Sequence, residues 1–238
     1  MIVSGLLAGW LTLPATVLWA WERPEDLSFV DPTHMGVAYL AATVRLGDGE
    51  DVDSVPRLQP LVVPRAASVI PVIRVESPRD RRPSLSEKQG LALVRAIDAV
   101  IPLREARALQ IDFDARLSER TFFRSFLEML RSELPEDSFL SITALTSWCL
   151  DDPWLDGLPV DEAVPMLFRM GDHADTIRAR LDSGVDFGPT LCRASAGIST
   201  DEPIPSLPAG RRYYVFHPGI WSADVAERAL TIVQESRR

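Results

Sequence analysis

The sequence predicts an α/β protein: a single (β/α)₈ barrel of TIM type, with some helices short or missing. Three observations predict it. Apolar runs of strand length recur eight times along the chain. Several are separated by segments of helical periodicity, which makes the strands parallel and the crossovers right-handed. The length, 238 residues, is ordinary for such a barrel. An open doubly wound sheet is the competing arrangement, but no Gly-rich phosphate loop follows the first run.

The runs are "TVLWAW" (16–21), "GVAYLAATV" (36–44), "SVIPVIRV" (68–75), "ALQIDFD" (108–114), "FLSITALTSW" (139–148), "AVPMLFRM" (163–170), "GPTLCRASAGI" (188–198) and "YYVFH" (213–217). Most are rich in β-branched or aromatic residues and bounded by Pro, Gly or Asp. Three helices stand between or after them. "SLSEKQGLALVRAIDAVI" opens on Ser84 with Glu87 three positions later, a capping-box pattern. "SERTFFRSFLEMLRSEL" starts at Ser118 and carries Phe122, Phe126, Met129 and Leu130 at helical spacing. "SADVAERALTIVQES" takes Ser222 as its N-cap. "DHADTIRARL" (172–181) is a fourth candidate, and residues 45–66, without helical periodicity, are expected to be a loop.

The first twenty residues hold no Lys, Arg, Asp or Glu. They suit a signal or an N-terminal membrane anchor, although a positive n-region and an A-x-A cleavage pattern are missing. Residues 1–14 are accordingly set apart as an apolar lead and 15–238 as the barrel, with the first buried strand inside 15–21. An exported or periplasmic setting is the expectation and a cytoplasmic one the alternative. The net charge of −9 argues against nucleic-acid backbones and anionic membranes as main partners. Cys149 and Cys192 are too few for a disulfide framework; one bridge or two buried thiols fit, and free thiols are the expectation.

Residues two apart on a strand share a face. Gln110, Asp112 and Asp114 therefore point one way, into the barrel, while Leu109, Ile111 and Phe113 point at the helices. Both carboxylates fall late in the strand, at the C-terminal mouth where barrel enzymes hold their sites. Arg74 and Glu76 end the preceding strand on the same logic, and Arg74 is the expected partner of Asp112, holding its carboxylate ionised. Glu22 follows the first strand beside Trp19, Trp21 and Arg23. Trp148, Arg169, Glu202, His217 and Trp221 follow later strands. Together these describe an acidic, aromatic-lined cleft for a carbohydrate or another small polar ligand. No H-E-x-x-H, paired C-x-x-C or G-x-S-x-G occurs. The isolated His34, His173 and His217 have no zinc spacing, so no metal or cofactor is expected.

The strings "LWAWERPEDL", "LQIDFDAR", "LSITALTSWC", "LPVDEAVPMLFRMG", "GISTDEP" and "YYVFHP" resemble a bacterial family of unknown function whose members are read as glycoside-hydrolase-like TIM barrels. The resemblance spans most of the chain. It implies the barrel, adds weight to an exported setting and brings no established activity. A looser similarity is to chitinase-like barrels, whose fourth strand carries D-x-x-D-x-D-x-E. Asp112 and Asp114 match its last two aspartates, while Leu109 and Arg116 stand where the first aspartate and the catalytic glutamate would be.

Glycoside cleavage needs one carboxyl protonated and one ionised. Asp112, Asp114 and Glu22 are the candidate catalytic groups, with Asp114 and Glu22 the preferred pair. Arg74, Glu76, Trp21, Trp148, Arg169, Glu202, His217 and Trp221 are the candidate ligand contacts. A non-catalytic glycan-binding barrel and a metal-dependent hydrolase of the same fold are the rival readings.

Overall fold

A computed structural model describes residues 13–236. The strands are β1 (Thr16–Ala20), β2 (Glu25–Asp26), β3 (Met35–Leu46), β4 (Val52–Pro56), β5 (Leu61–Val62) and β6 (Val69–Glu76). They continue with β7 (Ala108–Asp112), β8 (Phe139–Leu145), β9 (Glu162–Met166), β10 (Ser195–Ser199) and β11 (Arg212–Phe216). Eight of these form a closed parallel ring in the order β1, β11, β10, β9, β8, β7, β6, β3. β1 closes it by pairing with β3 from Thr16↔Met35 to Ala20↔Tyr39. The helices are α1 (Glu87–Asp98), α2 (Arg120–Glu133), α3 (Thr146–Leu150), α4 (Ala174–Asp182) and α5 (Ala223–Ser236). The chain is a TIM-type (β/α)₈ barrel.

Alternation along the strands builds two cores. Leu18, Ile73, Leu109, Ile111 and Ile142 face outward and pack with Phe123, Phe126 and Leu130 of α2. Val17, Trp19, Ile70, Val72, Val164 and Tyr214 fill the barrel's interior. Gly197 is required on β10: a Cβ there would sit 3.3 Å from the Trp19 ring and 2.9 Å from Met166 Sδ.

The interior also carries a polar string. Trp19 Nε1 donates to Gln110 Oε1 at 3.0 Å, and Gln110 Nε2 donates to Ser141 Oγ at 3.0 Å. Ser141 Oγ and the Tyr214 hydroxyl both donate to Glu162 Oε1, at 3.0 and 2.5 Å. Arg212 stands 3.4 Å from the same carboxylate and donates from Nε to Pro14 O. Each of these buried groups is thus satisfied, which is the condition for polar atoms to be tolerated in a core.

Several boundaries differ from the sequence reading. Residues 45–66 are not a plain loop. β4 pairs antiparallel with the overhanging end of β3, and β5 pairs with β2. Their mostly exposed edge positions hide the strand pattern that burial would impose. The fifth run breaks at Leu145 into α3, the sixth strand ends at Met166, and the seventh begins only at Ser195, after a 3₁₀ turn at Thr190–Cys192. α1 starts from Ser86 rather than Ser84: Ser86 Oγ accepts from Gln89 N, and the Gln89 side chain accepts from Leu85 N. α2 is entered through a 3₁₀ turn at Leu117–Glu119, and Ser222 caps α5, accepting from Val225 N. The apolar lead lies outside the described residues up to position 12. Beyond it, Leu13 packs against the interior cluster. Among the described residues no helix is long and apolar enough to cross a membrane.

The two cysteines form a disulfide, not free thiols. Cys149 on α3 and Cys192 before β10 come within 5.9 Å Cα to Cα, an approach across 43 residues that spacing alone does not reveal. The closed loop restricts the unfolded chain, so reduction, or Cys149→Ser with Cys192→Ser, is expected to cost about 2–4 kcal/mol. Urea unfolding with and without reductant checks it; coincident midpoints would contradict it.

Candidate functional site at the barrel mouth

Two depressions open at the C-terminal ends of the strands. One, of about 300 Å³, is floored by Trp19, Gln110 and Met166 and walled by Trp21, Phe168 and Phe216, with Arg74, Arg169, Asp112, Asp114 and Thr143 completing it. The second, of about 280 Å³, also uses Arg74, Asp112 and Asp114 and adds Glu76, Arg116 and Glu119. The two acids thus border both spaces.

Asp112 is the last residue of β7, and its Oδ1 accepts the Thr143 hydroxyl from β8 at 2.7 Å. Burial raises its pKa to about 6; the Thr143 bond and Arg74 lower it, while Asp114 and Glu76 raise it further. Asp114 lies two residues on, just past the strand end, and burial raises its pKa too, against a lowering by Arg74. The expectation that Arg74 pins Asp112 in its ionised form is therefore corrected. Arg74 Nε instead pairs with Glu76 Oε1 at 3.1 Å, and its guanidinium lies over Trp21 at 5.7 Å. Glu76 is shared with Arg45 at 2.8 Å, so desolvation outweighs the one nearby cation.

The other candidates divide. Trp21, Arg74 and Arg169 line the larger cavity, and Glu76 the smaller. Arg169 is held in the left-handed region at φ 54°. Its backbone N–H and Nη1 donate to Glu202, and Nη2 donates to Asp201 at 3.0 Å. Glu202 is also bound by Arg178, so it anchors the rim. His217 shares a 2.6 Å hydrogen bond with Thr200 Oγ1 and packs 5.2 Å from the Trp221 ring; burial lowers its pKa.

Glu22 sits on an exposed turn after β1 and lines neither depression. The buried acid of that segment is Glu25, which accepts from Trp221 N at 3.1 Å. Trp148 and Trp221, expected to present faces to a ligand, are 2% and 3% exposed. Trp148 packs edge-on to Trp154 at 4.9 Å, and Trp221 Nε1 donates to Trp19 O at 2.8 Å. Both are framework.

Four contributors escaped the sequence reading. Thr143 was visible as the inward neighbour of Ser141, two residues back. Phe168 and Phe216 lie two residues beyond Met166 and Tyr214, so the alternation that placed Asp114 would have placed them. Arg57 gave no local signal. It leaves the hairpin insertion to donate to the carbonyl oxygens of Trp21 and Arg23, fixing the turn that presents Trp21. Among the described residues no three His, Cys, Asp or Glu side chains converge as metal ligands do.

The fold defines a TIM-type barrel, and its two depressions share Arg74, Asp112 and Asp114. No protein-family model matches the chain, and no curated protein matches it.

Proposed function

We propose that this barrel acts on carbohydrate, cleaving a glycosidic bond with Asp112 and Asp114. The observation that carries the reading is the placement of both raised carboxylates against the aromatic walls of a single cavity. Sugar rings stack their apolar faces on indole and phenyl groups, and Trp21, Phe168 and Phe216 offer them. Glycoside cleavage divides labour between a protonated and an ionised carboxyl. Asp112, with the larger burial and a pKa of about 6, suits the proton donor; Asp114 suits the ionised partner. Neighbouring acids titrate as a pair, and the charge of an ionised Asp114 helps keep the proton on Asp112. Glu22 takes no part in this assignment.

The resemblance to glycoside-hydrolase-like barrels supports the same reading. The disulfide fits an oxidising compartment, in line with export. A second reading, glycan binding without turnover, is favoured by one residue. Arg116 stands where the chitinase-like pattern has its acid, and its guanidinium is engaged by Glu119 Oε1 at 3.3 Å and Ser77 O.

Reducing-end release from a panel of polysaccharides, with retention on the same polymers measured in parallel, separates the two readings. Turnover that Asp114→Ala abolishes is the expected result. Retention without turnover selects the binding barrel, and neither activity on any glycan rejects the carbohydrate reading.

A further inference from the structure

Charge matching at the mouth leaves a specific remainder. Arg74 is paired to Glu76, Arg116 to Glu119, and Arg169 to Asp201 and Glu202. Each guanidinium thus already has a carboxylate partner, Glu76 being shared with Arg45 and Glu202 with Arg178. Asp112 has a hydroxyl, Thr143, as its hydrogen-bond partner and, among the described residues, no cation within ion-pair distance. Asp114 makes no hydrogen bond or ion pair among the described residues, although it lines both depressions. The carboxylates left without a matched cation are those facing the cavity, not those on its rim.

We infer that the sugar selected by this cavity carries a protonated amine: a hexosamine unit whose nitrogen is free rather than acetylated. The inference rests on the carbohydrate reading above. An ammonium brings one positive charge and three N–H donors in a compact group, which suits two acceptors two residues apart along one chain. The remaining surface agrees. Trp21, Phe168 and Phe216 give the cavity aromatic walls, with Phe168 and Phe216 stacked at 5.4 Å, and aromatic faces attract cations as well as apolar sugar faces. A uronate would add a further negative charge beside the ionised Asp114. An acetylated nitrogen would carry no charge to match them. A bare hard cation needs roughly six or more oxygen ligands, and among the described residues no third His, Cys, Asp or Glu side chain converges there.

The test is calorimetric titration with short oligomers of equal length: β-linked glucosamine, its N-acetylated counterpart, a neutral glucose oligomer and a galacturonate oligomer. The glucosamine oligomer is expected to bind at least about tenfold tighter than the other three, as a charge-assisted hydrogen bond gained implies. Asp114→Asn should erase most of that preference. Glu235→Gln removes the same charge from an exposed site on α5, outside the cavity, and should leave the preference intact. Equal or tighter binding of an acetylated, neutral or acidic oligomer overturns the inference while the carbohydrate reading stands. A preference that survives Asp114→Asn also overturns it, because attraction to the net charge of −9 would then explain the binding. Failure of all four oligomers to bind rejects the carbohydrate reading and the inference with it.

Discussion

Replacing Glu162 by alanine is expected to destabilise the protein by about 3–5 kcal/mol, the usual cost of breaking a buried ion pair by removing one partner. Glu162 is fully buried inside the barrel and accepts from Ser141 and Tyr214 while facing Arg212. Alanine strands two hydroxyl donors and takes the carboxylate away from a guanidinium that is itself 7% exposed. Glutamine keeps the two hydroxyl bonds and loses the charge, so Glu162→Gln should cost less than the alanine variant. The effect reaches the site, because Ser141 also holds Gln110, and Gln110 holds the indole of Trp19 on the cavity floor. Urea midpoints measure the stability change. A loss below about 1 kcal/mol, the range of an ordinary exposed ion pair, would show that the interior string contributes little.

Asp112→Asn is expected to weaken catalysis and strengthen the fold at the same time. As a general acid Asp112 should contribute about 10²–10⁴-fold to the rate, and asparagine cannot supply the proton. The stability side follows from linkage. The folded pKa of about 6 lies above the ordinary value of 3.8, so the fold favours the protonated form. That contribution is complete below the unfolded pKa and is lost as pH rises through about 6. At neutral pH the fold therefore carries a desolvated charge. At about 1.4 kcal/mol per pKa unit, that penalty is at most about 3 kcal/mol, reduced by water reaching the cavity. Asparagine removes the charge and still offers an oxygen to the Thr143 hydroxyl. The variant should match the wild type at acid pH and exceed it above the folded pKa. Unfolding curves across that window check the sign; a variant less stable at neutral pH would contradict it.

The ring was legible because its signal is local. Period-two alternation with apolar residues on the helix side placed Leu109, Ile111 and Phe113 outward and sent Gln110 and Asp112 inward, as the two cores now display. What failed was long-range. Nothing within "GEDVDSVPRLQP" tells that an edge strand will form on β3 or that Arg57 will reach the carbonyl oxygens after β1. The cysteine pairing depends on α3 meeting the 3₁₀ turn before β10, 43 residues further on. Aromatic residues near strand ends were read alike, but burial separates them: Trp21 lines the cavity, whereas Trp148 and Trp221 are packed in. The sign of the Asp112 shift was missed for the same reason. Sequence shows an arginine on the next strand but not that Glu76 takes its Nε.

The most direct test is an NMR titration of the Asp112 side-chain carboxyl, assigned through Asp112→Asn, with and without a bound sugar oligomer. The expected midpoint is about 6, displaced when the oligomer enters the cavity. A midpoint near the ordinary carboxylate value of about 4, unmoved by any oligomer, would contradict it.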